Sequence, residues 1–331
     1  MKSESRRRRY LRYIAFILAA LFLISAVLLV LDIWEKRHFL FPEDTMTATD
    51  KVIEFNDKEY ELKNNIETLL ILGLDKYEGT GVEGSYNNDK QADFMILLVF
   101  DNDRKTCDAL HINRDTMAEM NILGVAGDTV GTITKQIALS HTYGNGKEVS
   151  CRNASNAVSK LLMGAKIDHY VSVTMDAVPV VTDQVGGVEV NVLHDFTGVD
   201  DTLVKGQNVT LNGQQALTYV RSRYGIEDSS NETRMERQSQ FLKALYGKYS
   251  QCVQNDSSFI TNTILKVSEY IVSDCNSSRL QTLMEKFSAY ELGEIRKLDG
   301  EITVGGTHIE FYPSETSIKQ TVVDLFYKEK G

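Results

Sequence analysis

The sequence predicts one α/β domain of roughly 265 residues behind a single N-terminal transmembrane helix. Three observations lead there. An apolar run from Ile14 to Leu31, broken only by Ser25, follows a strongly basic tail. Three apolar segments between Thr68 and Ile112, each ending among polar residues, read as buried strands. Beyond them helical spacings alternate with short strand-like runs, and there is no internal repeat or low-complexity segment.

The apolar run spans ~27 Å as a helix, close to the ~30 Å hydrocarbon core of a bilayer. Lys2, Arg6 to Arg9 and Arg12 precede it, and Trp34 follows at a position suited to the interface. A basic flank stays in the cytoplasm, so the expected topology is single-pass, with the N-terminus inside and the C-terminal domain extracellular. A cleaved secretory signal is the competing reading, but its apolar region would be shorter and followed by a small-residue cleavage site. The chain thus divides into a cytoplasmic tail 1–13, a transmembrane signal anchor 14–34, a polar stalk 35–65 with one strand at Lys51–Phe55, and the domain 66–331.

The tail carries +5, which leaves −15 on the remainder of a chain whose net charge is −10. Bulk charge of that sign argues against nucleic acid or anionic lipid as a partner of the domain, but a local arginine pocket can still bind a phosphate ligand because fields are screened within ~8 Å, and the basic tail can touch anionic lipid. Four cysteines (Cys107, Cys151, Cys252, Cys275) permit three disulfide connectivities, or stay as buried free thiols; their spacing lacks the paired C-x-x-C of a zinc site.

Within the domain, Leu69 to Asp75, Phe94 to Phe100 and Cys107 to Ile112 are strands, with a glycine-rich polar loop from Glu78 to Lys90 between the first two. Thr132 to Ser140 and Asn153 to Met163 have helical spacing, the latter stopped by Gly164. Tyr170 to Met175 is a strand. A helix containing Pro179 ends at Gly186-Gly187, before a strand at Val188 to Val192. Ser229-x-x-Glu232 reads as a capping box for a helix through about Tyr249. Its apolar stripe is Met235, Leu242, Leu245 and Tyr249. A neighbouring stripe of Arg234, Arg237, Gln238 and Phe241 points at a ligand.

The chemistry is concentrated in arginines. Only ten follow Trp34, and four of them (Arg221, Arg223, Arg234, Arg237) fall within 17 residues. Guanidinium forks bind phosphate oxygens two at a time and stay charged at any physiological pH. Arg221 and Arg223 share a side if the chain is extended there, and two adjacent cations repel unless an anion lies between them. Arg114 is the fifth member, with Asp115 beside it to orient it. Surface salt bridges are the plainer alternative. Asp75 closes the first strand and Asp93 opens the second, so pairing those strands brings two carboxylates together. Mg²⁺ is commonly held by one or two carboxylates plus substrate phosphate oxygens; solvated loop acids are again the alternative. No H-E-x-x-H, G-x-S-x-G or P-loop is present, and His111, His141, His169 and His194 are scattered.

These residues resemble the LytR-CpsA-Psr family of cell-envelope proteins. The resemblance is carried by Leu70-Ile71-Leu72-Gly73-Leu74-Asp75, Ala92-Asp93-Phe94-Met95, Asn113-Arg114-Asp115-Thr116, Ile167-Asp168-His169-Tyr170, Val185-Gly186-Gly187-Val188-Glu189-Val190, Gly213 to Arg223, and Arg234-Met235-Glu236-Arg237-Gln238. It implies a single mixed-sheet domain flanked by helices. It also implies Mg²⁺-dependent transfer of a glycopolymer, such as a teichoic acid or capsular polysaccharide, from a polyprenyl-pyrophosphate donor to peptidoglycan. By position, Asp75 and Asp93 hold the metal and serve catalysis with Arg114. The pyrophosphate is gripped by Arg114, Arg221 and Arg223, supported by Arg234, Arg237 and Gln238. The strands' apolar faces and the Val178–Val185 helix offer a groove for the lipid. Two departures stand out. Gln91 occupies the place of a phosphate-binding arginine, with Lys90 beside it as a substitute that supplies charge but no bidentate fork. Asn231 replaces an acidic residue three before Arg234. The competing functions are a non-catalytic envelope protein that binds polyprenyl pyrophosphate or glycan, and a lipid pyrophosphate hydrolase.

Overall fold

Strand pairing begins earlier than the apolar runs suggest. In the computed structural model, which describes residues 47–75, 91–305 and 308–330, Val52–Phe55 (β1) and Lys58–Leu62 (β2) form a hairpin. Its turn residues Asn56 and Asp57 are left-handed, at φ 52° and 59°, a conformation their short polar side chains tolerate. The folded unit therefore starts at Thr47, within the stretch read as stalk. The anchor 14–34, Lys90 and the loop at Glu78–Lys90 lie outside the described residues. Among the described residues no helix is long and apolar enough to cross a membrane.

The three apolar runs become Ile66–Leu74 (β3), Ala92–Asp101 (β4) and Thr106–His111 (β5), antiparallel in chain order. Met117–Leu123 (β6) and Thr129–Gln136 (β7) form a separate hairpin. The helical reading of Thr132–Ser140 is thus corrected: the segment is strand to Gln136, then a 3-10 turn over Ile137–Thr142. Thr129, Val130, Thr132, Ile133 and Thr134 are β-branched, and β6 supplies the partner that lets them pair. Glu148–Leu161 (α1) follows, with Gly164 (φ 85°) allowing the exit, and then His169–Thr174 (β8), parallel to β3.

Ala177–Gln184 (α2) precedes the hairpin of Val188–Asn191 (β9) and Asn208–Leu211 (β10). Gly213–Arg221 (α3) begins at a capping box, Asn212 with Gln215. Asn231–Asn255 (α4) is capped by Ser230, whose hydroxyl accepts from the Thr233 N–H; the expected Ser229 sits one residue outside, at φ 57°. Phe259–Val267 (α5), Ile271–Ser273 (β11), Ser277–Ala289 (α6) and Glu291–Arg296 (β12) follow. Gly300–Gly305 (β13) and His308–Pro313 (β14) form the last hairpin. Glu315–Phe326 (α7) leads to Tyr327–Glu329 (β15), which pairs with β2.

The central sheet is mixed and six-stranded, ordered β11-β8-β3-β4-β5-β12. Side chains alternate across it. Leu69, Ile96, Leu98 and Phe100 pack with Leu283 and Tyr290 in one cluster, against which Leu242 and Phe287 also pack. Leu70, Leu72, Leu74, Met95 and Leu97, of the opposite parity, are fully buried. Each such side chain contributes about 1.5–3 kcal/mol relative to exposure. The C-terminal ends of β3, β5 and β8 and the start of β4 share one edge of the sheet, because β3 and β8 are parallel while β4 is antiparallel to both β3 and β5. Open α/β sheets characteristically present ligand sites at that edge.

All four cysteines are free, Cys107 and Cys151 buried. Burial pushes the Cys107 thiol up to about 12 and that of Cys151 to about 11. At pH 8 both should resist maleimide in the folded protein and react once it is denatured, a contrast read by mass spectrometry. At Gly213, an added Cβ would lie 2.6 Å from the Pro179 carbonyl oxygen and 2.7 Å from an Asp183 carboxylate oxygen. Gly213→Ala is expected to cost roughly 1–3 kcal/mol, measured as a lower urea midpoint.

Candidate functional site

The β3–β4 register places the two carboxylates. Leu74 pairs with Ala92 after a bulge at Gly73, so Asp75 and Asp93 emerge at the same sheet end. Both line a cavity of about 780 Å³, together with Gln91, Arg114, Asp115 and Arg223. Arg114 follows β5, and its guanidinium grips Asp93 and donates to Gln91 Oε1 at 2.5 Å. Gln91 thus acts as an acceptor that orients Arg114. Arg221, the last residue of α3, pairs with Asp75 at 3.2 Å. Arg223, two residues on, lies over the Tyr224 ring at 4.6 Å and donates to its hydroxyl.

The stripe on α4 turns inward. Arg237 is fully buried and Gln238 is 5 % exposed. Arg237 donates to the carbonyls of Tyr219 (2.9 Å) and Ser222, and Gln238 donates to that of Val220 (3.1 Å). These are orphan carbonyls at the end of α3, so the two side chains cap that helix and fix the segment bearing Arg221 and Arg223. Arg237 also lies over Phe196 and beside His194 Nδ1, and burial brings its pKa down to about 10. Arg237 has no surface from which to bind a ligand, which corrects its expected role; Gln238 lines the apolar pocket described below.

Arg234 is an intermediate case. It donates to Asn231 Oδ1 (2.6 Å) and to the Asp93 carbonyl (3.3 Å), with its other terminal nitrogen 3.9 Å from the Asp93 carboxylate. Burial lowers its pKa, and Asp93 opposes that shift. Asn231 also donates to Asn113 Oδ1, and Asn113 donates to Glu232. Glu232, expected in a capping box, therefore ties α4 to the Arg114 loop. Asp115 is buried, which raises its carboxyl pKa against the pull of Arg114, Arg223 and Arg234.

The donors fit a hard cation. Asp75 and Asp93 keep 37 % and 24 % of their side chains exposed, and both line the cavity with the amide of Gln91. An all-oxygen pair of carboxylates beside guanidiniums suits Mg²⁺ completed by phosphate oxygens. Behind the cavity the surface turns apolar. A pocket of about 140 Å³ is lined by Gly73, Phe94 and Val220, each within two residues of Asp75, Asp93 or Arg221. It shares Val173 and Leu242 with a larger apolar cavity of about 300 Å³ between the sheet and α4 to α6.

Sequence reasoning missed the opposite wall of the site, made by Lys135, Gln136 and Tyr143 after or on β7 and by His308, Ile309 and Glu310 on β14. No motif marks them. The nearest signal was the Thr-rich alternation of β7, which was read with the wrong period.

Comparison with known proteins gives the family and the fold. The LytR_cpsA_psr family model matches residues 41–325. The polyisoprenyl-teichoic acid–peptidoglycan teichoic acid transferase TagV of Bacillus subtilis is 28 % identical over 263 residues, covering 77 % of this chain and 61 % of that protein. An Enterococcus faecalis transferase of the same description, TagU, is 30 % identical over 209 residues, covering 62 % and 61 %. The chain thus spans about three-fifths of the length of these relatives. The crystal structure of B. subtilis TagV superposes with a TM-score of 0.59 at 25 % identity, over 80 % of this chain and 97 % of that one.

The division of the arginines is measurable. Arg237→Met leaves two buried carbonyls without donors and should cost roughly 2–5 kcal/mol. Arg223→Ala should stay within about 0.5 kcal/mol of wild type. Equal effects in denaturant titrations would contradict the separation.

Proposed function

The chain belongs to the LytR-CpsA-Psr family, and from that premise we propose that it transfers a glycopolymer from a polyprenyl-pyrophosphate donor to peptidoglycan. The observation that carries the proposal is the convergence of Arg114, Arg221, Arg223, Asp75 and Asp93 beside a continuous apolar pocket. Diphosphate and isoprenoid chemistry meet in one ligand class, and the two surfaces meet here within two residues of sequence.

In this reading the lipid lies along Phe94, Val173 and Leu242, and the diphosphate is held by Arg114, Arg221 and Arg223. Mg²⁺, held by Asp75 and Asp93, would screen the diphosphate charge. Arg234 fixes Asp93 from behind, while Arg237 and Gln238 hold the backbone that aims Arg221 and Arg223. A hydroxyl of the acceptor forms its new bond to the linking phosphorus or to the anomeric carbon, according to the donor. Attack at phosphorus breaks its bond to polyprenyl phosphate and attack at carbon breaks its bond to polyprenyl diphosphate; that group leaves with the electron pair, and the hydroxyl proton passes to a carboxylate at the wall. Arginines aimed at the developing negative charge lower the barrier because they are already oriented before reaction. The same proposal tethers the domain outside the membrane through residues 14–34.

The full-length protein in detergent, given Mg²⁺, a polyprenyl-pyrophosphate glycan and peptidoglycan fragments, should yield a covalent glycan–peptidoglycan product. Arg221→Ala and Asp93→Asn should each lower kcat/KM by roughly 100-fold or more, and chelation of Mg²⁺ should abolish turnover. Free glycan or inorganic phosphate without linkage would instead identify a hydrolase. Tight donor binding without product would identify a holding protein, the outcome favoured if neutral Gln91 leaves too little positive charge.

A further inference from the structure

The 780 Å³ cavity is larger than a diphosphate group fills, and its two walls differ in kind. One wall is the guanidinium and carboxylate cluster at the sheet edge. The other comes from different elements: Lys135 of β7, Tyr143 beyond the 3-10 turn, and His308 and Glu310 of β14. This second wall is firmly seated. Gln136 Nε2 donates to Asp115 Oδ1 at 2.9 Å and to the Ile309 carbonyl at 2.7 Å. The Phe311 N–H donates to the Asp115 carbonyl at 2.9 Å, and Thr116 bridges Phe311. Asp115 therefore contacts Arg114 with its side chain and the β14 strand with its backbone, which locks the spacing between the walls. The Tyr312 hydroxyl donates to Glu310 at 2.8 Å, restricting that carboxylate too.

We propose that Lys135, Tyr143, His308 and Glu310 form the acceptor subsite, which holds a peptidoglycan sugar with its hydroxyl turned toward Asp75 and Asp93. This rests on the transfer reading above. The chemistry separates acceptor from donor glycan. A polyanionic donor chain would be drawn to a wall of guanidiniums and repelled by Glu310, whereas this wall carries one cation and one carboxylate. Opposite charges, an imidazole and a phenol ring match a sugar bearing hydroxyl, amide and single carboxyl groups, with its C–H face against Tyr143.

The test is binding to the full-length protein in detergent, with soluble muropeptides and inorganic pyrophosphate as separate probes. Lys135→Ala and Tyr143→Ala should weaken muropeptide binding about tenfold or more and leave pyrophosphate affinity unchanged, while Lys135→Arg and Tyr143→Phe restore it. Arg223→Ala should do the reverse, weakening pyrophosphate alone. Thermal melting of each variant separates local from global effects. The proposal is overturned if the Lys135 and Tyr143 variants bind muropeptide as wild type does, or if they lose donor glycan instead. Absence of product from wild type alongside intact, Lys135-dependent muropeptide binding would remove the transfer reading and leave the subsite standing. Product with an acceptor KM unaltered by Lys135→Ala would remove the subsite and leave transfer standing.

Discussion

Everything at the site hangs on how β3 and β4 pair. Eleven apolar residues of those strands are buried, on both faces of the sheet, so slipping the pair by one residue would exchange side chains between two differently packed layers. Burial of the sheet core therefore fixes the register, and the register delivers Asp75 and Asp93 to one end. β5 adds Arg114 at the same edge because it too runs antiparallel to β4. The polar constellation is thus a by-product of apolar packing some distance away.

A second constraint acts through helix α4. Its buried arginine and glutamine supply donors to a helix end that would otherwise hold unsatisfied carbonyls. That arrangement converts a flexible connection between α3 and α4 into a rigid bracket. Arginines that look alike in sequence hence do different work: Arg114 and Arg223 line the cavity, Arg221 pairs with Asp75, Arg234 steadies Asp93, and Arg237 holds backbone carbonyls while lying over Phe196.

Much of this was legible in the sequence. The strands of the central sheet announce themselves as apolar runs, and the meeting of Asp75 with Asp93 follows from their positions at adjoining strand ends. The grouping of Arg221 and Arg223 on one segment follows from spacing and local composition. Burial of Arg237 could not be read, because a guanidinium at a helical spacing reads as outward unless the carbonyls that receive it are known, and those come from a helix earlier in the chain. The strand at Thr129–Gln136 was hidden because its few apolar residues, Val130 and Ile133, fit either period. The strand at Lys51–Phe55 was legible, but its hairpin partner at 58–62 was taken for stalk because it is polar and its outer partner, β15, lies at the far end of the chain.

Gly73 carries a consequence of a different sort. It lines the apolar pocket at the point where that pocket approaches the carboxylates, and a Cβ there would lie only 2.8 Å from that of Phe94. The boundary between the greasy and the charged compartments is consequently made of main chain on one side. Side-chain walls widen, narrow or change polarity with a single codon, but the distance between two hydrogen-bonded strands does not. The threshold between the compartments is a fixed gauge, set by strand spacing, and substitutions can reshape the walls on either side of it but not the gauge itself.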